Sequence, residues 1–124
     1  MSMTAHTGRS LEPVWLVSQG RVVASAGRAT SRTDRRRGLI GMTTIPEPLL
    51  LDPCSWVHTV GMKTTIDVAY VGPDGIILRI DTMKPWRVGP LTRKAQYVIE
   101  ASPGSFERWQ VRVGDTIEVR YVDH

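Results

Sequence analysis

With 124 residues and a hydrophobic fraction of 41%, the chain is long enough to bury a core of its own without disulfide or metal staples. No apolar stretch approaches the roughly 20 residues that span a bilayer, the N-terminus lacks the apolar region of a secretory signal, and the one cysteine has no partner for an internal disulfide. The net charge of +4 and the pI near 9.7 permit contact with phosphates, but the densest basic run, residues 32–37, holds no aromatic side chain for base stacking. We therefore expect a cytoplasmic protein without a membrane partner, and nucleic acid is disfavoured as a ligand.

The N-terminal third is predicted to contain a tail, a hairpin and a helix. Residues 1–12 are polar and aperiodic, so we expect a flexible tail followed by one domain over residues 13–124. Residues 14–17 and 22–26 are β-prone and flank a polar connection with Gly20, which predicts an antiparallel hairpin. Thr30 or Ser31 can cap a helix, and Pro46 prevents its continuation, so one short helix is expected near residues 31–42.

From residue 49 onward the pattern is that of short strands. The β-prone runs cover residues 49–51, 56–59, 66–71, 76–80, 97–100 and 116–121, and one helical turn is expected at 106–109. Pro73, Asp74 and Gly75 predict a tight hairpin turn in which Gly75 takes a positive φ. The fold class that follows is all-β, mainly antiparallel, as a sandwich, jelly roll or barrel.

Several motifs together carry a resemblance. They are Arg37-Gly38-Leu39, the run from Cys54 to Val68 that reads CSWVHTVGMKTTIDV, Asp74-Gly75, and then Pro85, Ala95, Val98, Glu100 and Gly104. Over residues 14–121 the chain resembles domain-of-unknown-function family 192, a set of small bacterial and archaeal proteins. The resemblance implies a compact, mainly β fold and no established activity. Thr65 departs from the family pattern, in which Pro often precedes the Ile-Asp pair.

Cys54, His58 and Met62 form the one candidate metal site. Their spacing of four places them on one face of a strand or helix, and thiolate, imidazole and thioether together would favour Cu(I). Core packing is the favoured interpretation, because Cys and Met are readily buried, so no metal or other cofactor is expected. Cys54 and His58 could also act as nucleophile and base, but on an extended strand they would lie about 13 Å apart.

Asp67 lies within an apolar run, where an unpaired carboxylate would be costly. We predict that Arg35, Arg36 or Arg37 pairs with it and fastens the helix to the sheet. A role of Asp67 as a general acid or base is the alternative.

The aromatic residues Trp56 and Trp86 could line a pocket for an anionic or sugar-like ligand, together with the nearby His58, Lys63 and Arg87. The predicted ligand-binding set is Arg36, Arg37, Cys54, Trp56, His58, Met62, Lys63, Asp67 and Trp86. The leading interpretation is a binding module for a small molecule. Two alternatives stay open: a small hydrolase or transferase with Asp67 or His58 as general acid or base, and a nucleic-acid or protein adaptor with a basic arginine face.

Overall fold

The computed structural model describes residues 11–122, which form seven strands and two short helices. The elements are β1 Glu12–Ser18, β2 Arg21–Ala29, α1 Arg32–Arg37, β3 Leu49–Leu51, β4 Ile66–Val71, β5 Ile77–Met83, β6 Tyr97–Ala101, α2 Ser105–Arg108 and β7 Glu118–Tyr121. The predicted all-β class with a short helix is confirmed. Neither α1 nor α2 is long and apolar enough to cross a bilayer. Of the predicted tail, residues 1–10 lie outside the described residues, Leu11 is buried, and Glu12 already begins β1.

The strands form one sheet in the order β5-β4-β6-β3-β2-β1-β7. All neighbours are antiparallel except β2 and β3, which run parallel. The two ends of this sheet meet, because Ile77 N donates to Asp115 O at 2.9 Å and Ile117 N donates to Gly75 O at 2.8 Å. The sheet is therefore closed like a barrel, which was one of the three predicted architectures.

Both predicted hairpins are present. β1 and β2 pair antiparallel, and Gln19 and Gly20 at their connection have φ values of 53° and 77°. In the β4–β5 turn Gly75 has φ 83°, as predicted, and its N–H donates to Gly72 O at 3.0 Å. A Cβ at Gly75 would lie 2.7 Å from Ile117 O, so the position requires glycine for space as well as for conformation.

Side-chain alternation along the strands separates two apolar clusters. In β4, Ala69 and Val71 belong to an inner cluster inside the closed sheet, whereas Val68 and Tyr70 belong to an outer cluster. The outer cluster is covered by the segment after α1, to which the buried Leu39 belongs, and by the loop that follows β3. The face of the sheet on which a polar residue lies therefore decides which groups it can meet.

Two local predictions need correction. The helix begins as expected, with Ser31 Oγ accepting from Asp34 N at 3.1 Å, but it ends at Arg37 rather than near residue 42, because Gly38 has φ 49° and packs against Glu100. The strand expected at residues 56–59 is absent as a regular strand. That segment makes a single bridge, between His58 and Val88, with a distant and equally irregular segment that contains two prolines.

Candidate functional site

A cavity of about 690 Å³ opens between α1, the loop after β3 and the start of β6. Its size falls in the range typical of small-molecule sites, roughly 300–1,000 Å³. Its apolar lining includes Leu39, Leu51, Val57 and Met62, and its polar and charged lining includes Arg35, Arg36, Arg37, Cys54, His58 and Glu100. We call it the α1 cavity.

Three of the four arginines of α1 line the α1 cavity, and they have different roles at its rim. Arg35 is anchored, because its Nε donates to Thr30 O at 3.0 Å and its Nη1 donates to Pro53 O at 3.1 Å. Arg36 and Arg37 are exposed and make no side-chain hydrogen bond or ion pair within residues 11–122. Two guanidinium groups are thus available to a ligand at the rim.

Glu100 is a buried acid of the α1 cavity that sequence reasoning did not assign to the site. It lies in β6 on the same face as Val98, is 4% exposed, and its Oε1 would be 2.9 Å from a Cβ at position 38. The sequence does contain a feature that predicts such a site: Glu100 is an acid within the apolar run from Tyr97 to Ala101, just as Asp67 is an acid within an apolar run.

Cys54 is held as a neutral thiol. Its Sγ donates to Trp56 O at 3.3 Å. Burial raises the pKa of the Cys54 thiol, and the negative charge of Glu100 raises that pKa further. Because the thiolate is the nucleophilic form, this environment disfavours nucleophilic chemistry at Cys54.

The imidazole of His58 uses one nitrogen locally. Its Nδ1 accepts from Val60 N at 3.2 Å, so the neutral ring carries its proton on Nε2 and presents a donor there. The Trp56 ring lies edge-on to it, with centroids 6.4 Å apart. The thiol of Cys54 and the accepting nitrogen of His58 each bond to backbone groups. The two side chains therefore do not form a thiol–imidazole pair.

The candidate metal ligands share the cavity without forming a recognisable ligand cluster. Cys54, His58 and Met62 all line it, but Met62 is 4% exposed and belongs to the outer apolar cluster. Within residues 11–122 no three His, Cys, Asp or Glu side chains gather as they would around a metal ion. The arrangement is typical of side chains that pack and hydrogen-bond rather than ligate.

Asp67 lies on the opposite face of the sheet from α1, so the predicted ion pair with the α1 arginines is wrong. Its Oδ1 accepts from Thr82 Oγ1 at 2.7 Å and its Oδ2 accepts from Gly104 N at 2.8 Å. Alternation along β4 gives Asp67 the same side as Ala69, away from α1. It borders a different groove, beside α2.

The predicted ligand-binding residues therefore divide into two groups. Those that line the α1 cavity are Arg36, Arg37, Cys54, Trp56, His58 and Met62. Three others do not line it: Asp67, Lys63 and Trp86. Trp86 is 65% exposed in a turn and Lys63 is exposed, so both are free for contacts at the surface.

The fold and the cavity define a small barrel-like β domain with an open pocket under its first helix. A family model described as Uncharacterized ACR, DUF192, matches residues 14–119. The chain belongs to this family, which confirms the resemblance carried by the sequence motifs.

Two curated relatives agree with this placement. A UPF0127 protein of Pyrococcus furiosus is 34% identical over 62 residues, and one of Pyrococcus abyssi is 32% identical over 62 residues. Each alignment covers 50% of this chain and 53% of the relative, so the chain spans about half the length of the curated relatives it matches.

Two solved structures are similar to the chain in fold. A protein of unknown function from Novosphingobium aromaticivorans has a TM-score of 0.74 at 21% identity, covering 90% of this chain and 87% of its own. A proposed transcription regulator from Sinorhizobium meliloti has a TM-score of 0.69 at 22% identity, covering 89% and 94%. At these identities the likeness shows the fold alone.

Proposed function

We propose that this protein is a binding module whose α1 cavity takes a small organic anion with an apolar body. The observation that carries the proposal is the lining of the cavity. An apolar floor, formed by residues such as Leu51 and Val57, meets a rim with two arginines, Arg36 and Arg37, that have no partner within the described chain. Such a lining complements a ligand that is apolar at one end and negatively charged at the other.

The polar groups of the rim suit a carboxylate, sulfonate or phosphate. A guanidinium group presents donors in a fork that matches two oxygens of such an anion, and it stays charged at any physiological pH. His58 adds a third donor, because its Nδ1 accepts from Val60 N and its Nε2–H is left to donate to a ligand. Positive charge and donors at one rim therefore favour an anionic ligand over a neutral sugar.

The same observations favour binding over acid–base catalysis. The lone pair of His58 Nδ1 is engaged by Val60 N, and Asp67 does not line the α1 cavity, so neither group offers an accepting lone pair to a ligand bound there. A general base needs a free lone pair within reach of the substrate proton. The hydrolase or transferase alternative therefore has less support than the binding module.

A fluorescence titration with 1-anilinonaphthalene-8-sulfonate, an aromatic sulfonate, tests the proposal. We expect saturable binding that decanoate reverses and decanol does not. The paired substitution Arg36→Gln with Arg37→Gln should weaken binding about tenfold, because charge-assisted hydrogen bonds are lost. Arg32→Gln is the matched control, since Arg32 is an exposed arginine of the same helix outside the cavity lining, and it should change the affinity little.

A blocking variant separates the cavity from the rest of the surface. Ala95 lines the α1 cavity and is partly exposed, so Ala95→Phe should fill the opening and abolish dye binding while the circular dichroism spectrum is kept. Equal dye affinity in the wild type, in Ala95→Phe and in the arginine variant would show that the dye binds elsewhere and would remove the support for this function.

A further inference from the structure

An irregular ribbon beside the α1 cavity joins residues 56–60 to residues 86–91, and we call it the Trp ribbon. Thr59 N donates to Arg87 O at 2.7 Å, and Gly89 N donates to Val57 O at 2.9 Å. These bonds flank the antiparallel bridge between His58 and Val88. The pattern fixes the two segments side by side although 28 positions separate Thr59 from Arg87.

The two faces of the Trp ribbon differ sharply in exposure. Val57 and Thr59 point inward and are 4% and 0% exposed. The large apolar side chains exposed on the ribbon are Trp56 at 51%, Val60 at 41%, Trp86 at 65%, Val88 at 64% and Leu91 at 56%. A concentration of large apolar side chains in water at one place is typical of an interaction surface rather than of scattered surface residues.

The turn that presents Trp86 is held rigidly in an unfavourable conformation. Trp86 has φ 63°, which is uncommon for a bulky residue and costs conformational energy. The buried Thr59 holds the turn: its Oγ1 donates to Lys84 O at 2.6 Å and accepts from Arg87 N at 2.8 Å, and its carbonyl accepts from Trp86 N at 2.9 Å. These bonds keep the indole directed into solvent.

The charged residues of the two segments that contain the Trp ribbon have one sign. Residues 53–65 and 84–96, which contain the ribbon, hold no Asp or Glu. All three lysines of the chain lie there, together with two arginines, and all five are exposed: Lys63, Lys84, Arg87, Arg93 and Lys94. The surface therefore complements a partner that is negatively charged and offers an apolar layer.

We propose that the Trp ribbon docks on the surface of an anionic lipid bilayer. Tryptophan and aliphatic side chains enter the boundary between headgroups and acyl chains, and the lysines contact the lipid phosphates. This proposal revises the sequence-based expectation of no membrane partner, which rested on the lack of a spanning segment. A surface contact needs none.

The composition of the ribbon favours lipid over other anionic partners. Lysine is depleted in the cores of protein interfaces, whereas it is the residue that contacts anionic headgroups most simply as a point charge. Single-stranded nucleic acid binds by stacking bases on aromatic rings, and Val60, Val88 and Leu91 offer no ring. The lipid proposal is independent of the ligand in the α1 cavity.

Co-sedimentation of the full chain with vesicles tests the proposal. Vesicles of phosphatidylcholine that contain phosphatidylglycerol should retain the protein, vesicles of phosphatidylcholine alone should not, and about 0.5 M salt should release it. Bound protein should show tryptophan emission shifted to shorter wavelength. Lys84→Gln should weaken binding about fivefold, whereas Arg112→Gln, which removes an exposed charge outside the ribbon, should leave it unchanged.

Two apolar variants decide whether the ribbon itself makes the contact. Trp86→Asn removes the indole but keeps a residue that tolerates positive φ, and Leu91→Ser removes a second exposed apolar group without touching that turn. Each should weaken vesicle binding at least about tenfold, while Val113→Ser, at an exposed valine elsewhere, should not. Equal retention by neutral and anionic vesicles, unchanged retention of both ribbon variants, or tight binding to oligothymidylate with no vesicle binding would overturn the proposal.

Discussion

The hydroxyl group of Tyr70 is a buried polar group with no hydrogen-bond partner within residues 11–122. The side chain lies in the outer apolar cluster, and its oxygen would be 3.1 Å from a Cβ at position 89. The pKa of Tyr70 is raised to about 12, and the largest cause is burial of the phenol. The group is therefore a neutral phenol that the fold must bury without compensation.

We predict that Tyr70→Phe leaves the free energy of unfolding at pH 7 unchanged or increases it by up to about 1 kcal/mol. The unfolded phenol ionises near pH 10 and the folded one only near its raised pKa of about 12. Ionisation of Tyr70 therefore does not lower the free energy of unfolding below pH 10. As the pH rises toward 12, the wild type loses stability relative to Tyr70→Phe. Urea denaturation at both ends of this range measures it. A variant that loses 2 kcal/mol or more at pH 7, on the order of a broken buried hydrogen bond, would contradict this account.

Cys54 should react slowly while the protein is folded. Because burial raises its thiol pKa, the thiolate fraction at neutral pH is smaller than in the unfolded chain. We expect iodoacetamide to alkylate the native protein at least about tenfold more slowly than the urea-unfolded protein. The native rate should still increase with pH where the unfolded rate has levelled off, and a native plateau at lower pH would be the opposite of what we expect.

At the scale of the secondary-structure elements, the end of α1 depends on Gly38. Its φ of 49° with ψ of −128° is a conformation that favours glycine, and a Cβ there would meet Glu100 Oε1 at 2.9 Å. Gly38→Ala should therefore destabilise by about 2 to 3 kcal/mol, through strain and crowding together.

Gly41→Ala is the matched control for this prediction. Gly41 has φ 85°, but a Cβ there would have no atom within 4 Å, so only the conformational part, about 1 kcal/mol, should be lost. Urea denaturation of both variants measures the difference. If the two variants were equally stable, contact with Glu100 would not be what ends the helix.

The strands and turns were largely predictable because their signals are local. β-prone runs predicted β1, β3, β4 and β6, and the Asp74-Gly75 turn chemistry predicted both the hairpin and the positive φ. The strand predicted at residues 56–59 was wrong, because that segment pairs with residues 86–89 and both segments are irregular. β-prone residues alone do not show which segment they pair with.

The choice between Asp67 and Glu100 shows why the site was only partly predictable. Both are acids in apolar strands, and the sequence gives no sign of which face of the closed sheet α1 will cover. Strand alternation directs Glu100 toward α1 and Asp67 toward Thr82 and Gly104. The α1 arginines could be predicted as residues of the proposed site, but the sequence could not decide whether Asp67 or Glu100 shares the cavity with them.

At the scale of the whole molecule, the closed sheet separates an apolar interior from the exterior on which both proposed sites lie. The inner cluster, which includes Leu16 and Ile99, fills the barrel, so the α1 cavity and the Trp ribbon are both built on the outer side and its loops. Trp56 belongs to both of them, since it lines the cavity and is 51% exposed on the ribbon. A ligand in the cavity and a lipid surface at the ribbon would therefore be close neighbours.

The most direct test of the central claim is to map, by nuclear magnetic resonance of backbone amides, where decanoate binds. The account predicts that shifts on titration concentrate at residues 35–39, 54–58 and 95–96, and that the paired Arg36→Gln and Arg37→Gln variant loses them at the same ligand concentration. Decanol should produce far smaller changes, because it lacks the charge that the two arginines recognise. Shifts that instead concentrate at Asp67 and α2, or that persist undiminished in the arginine variant, would contradict the assignment of the α1 cavity as the binding site.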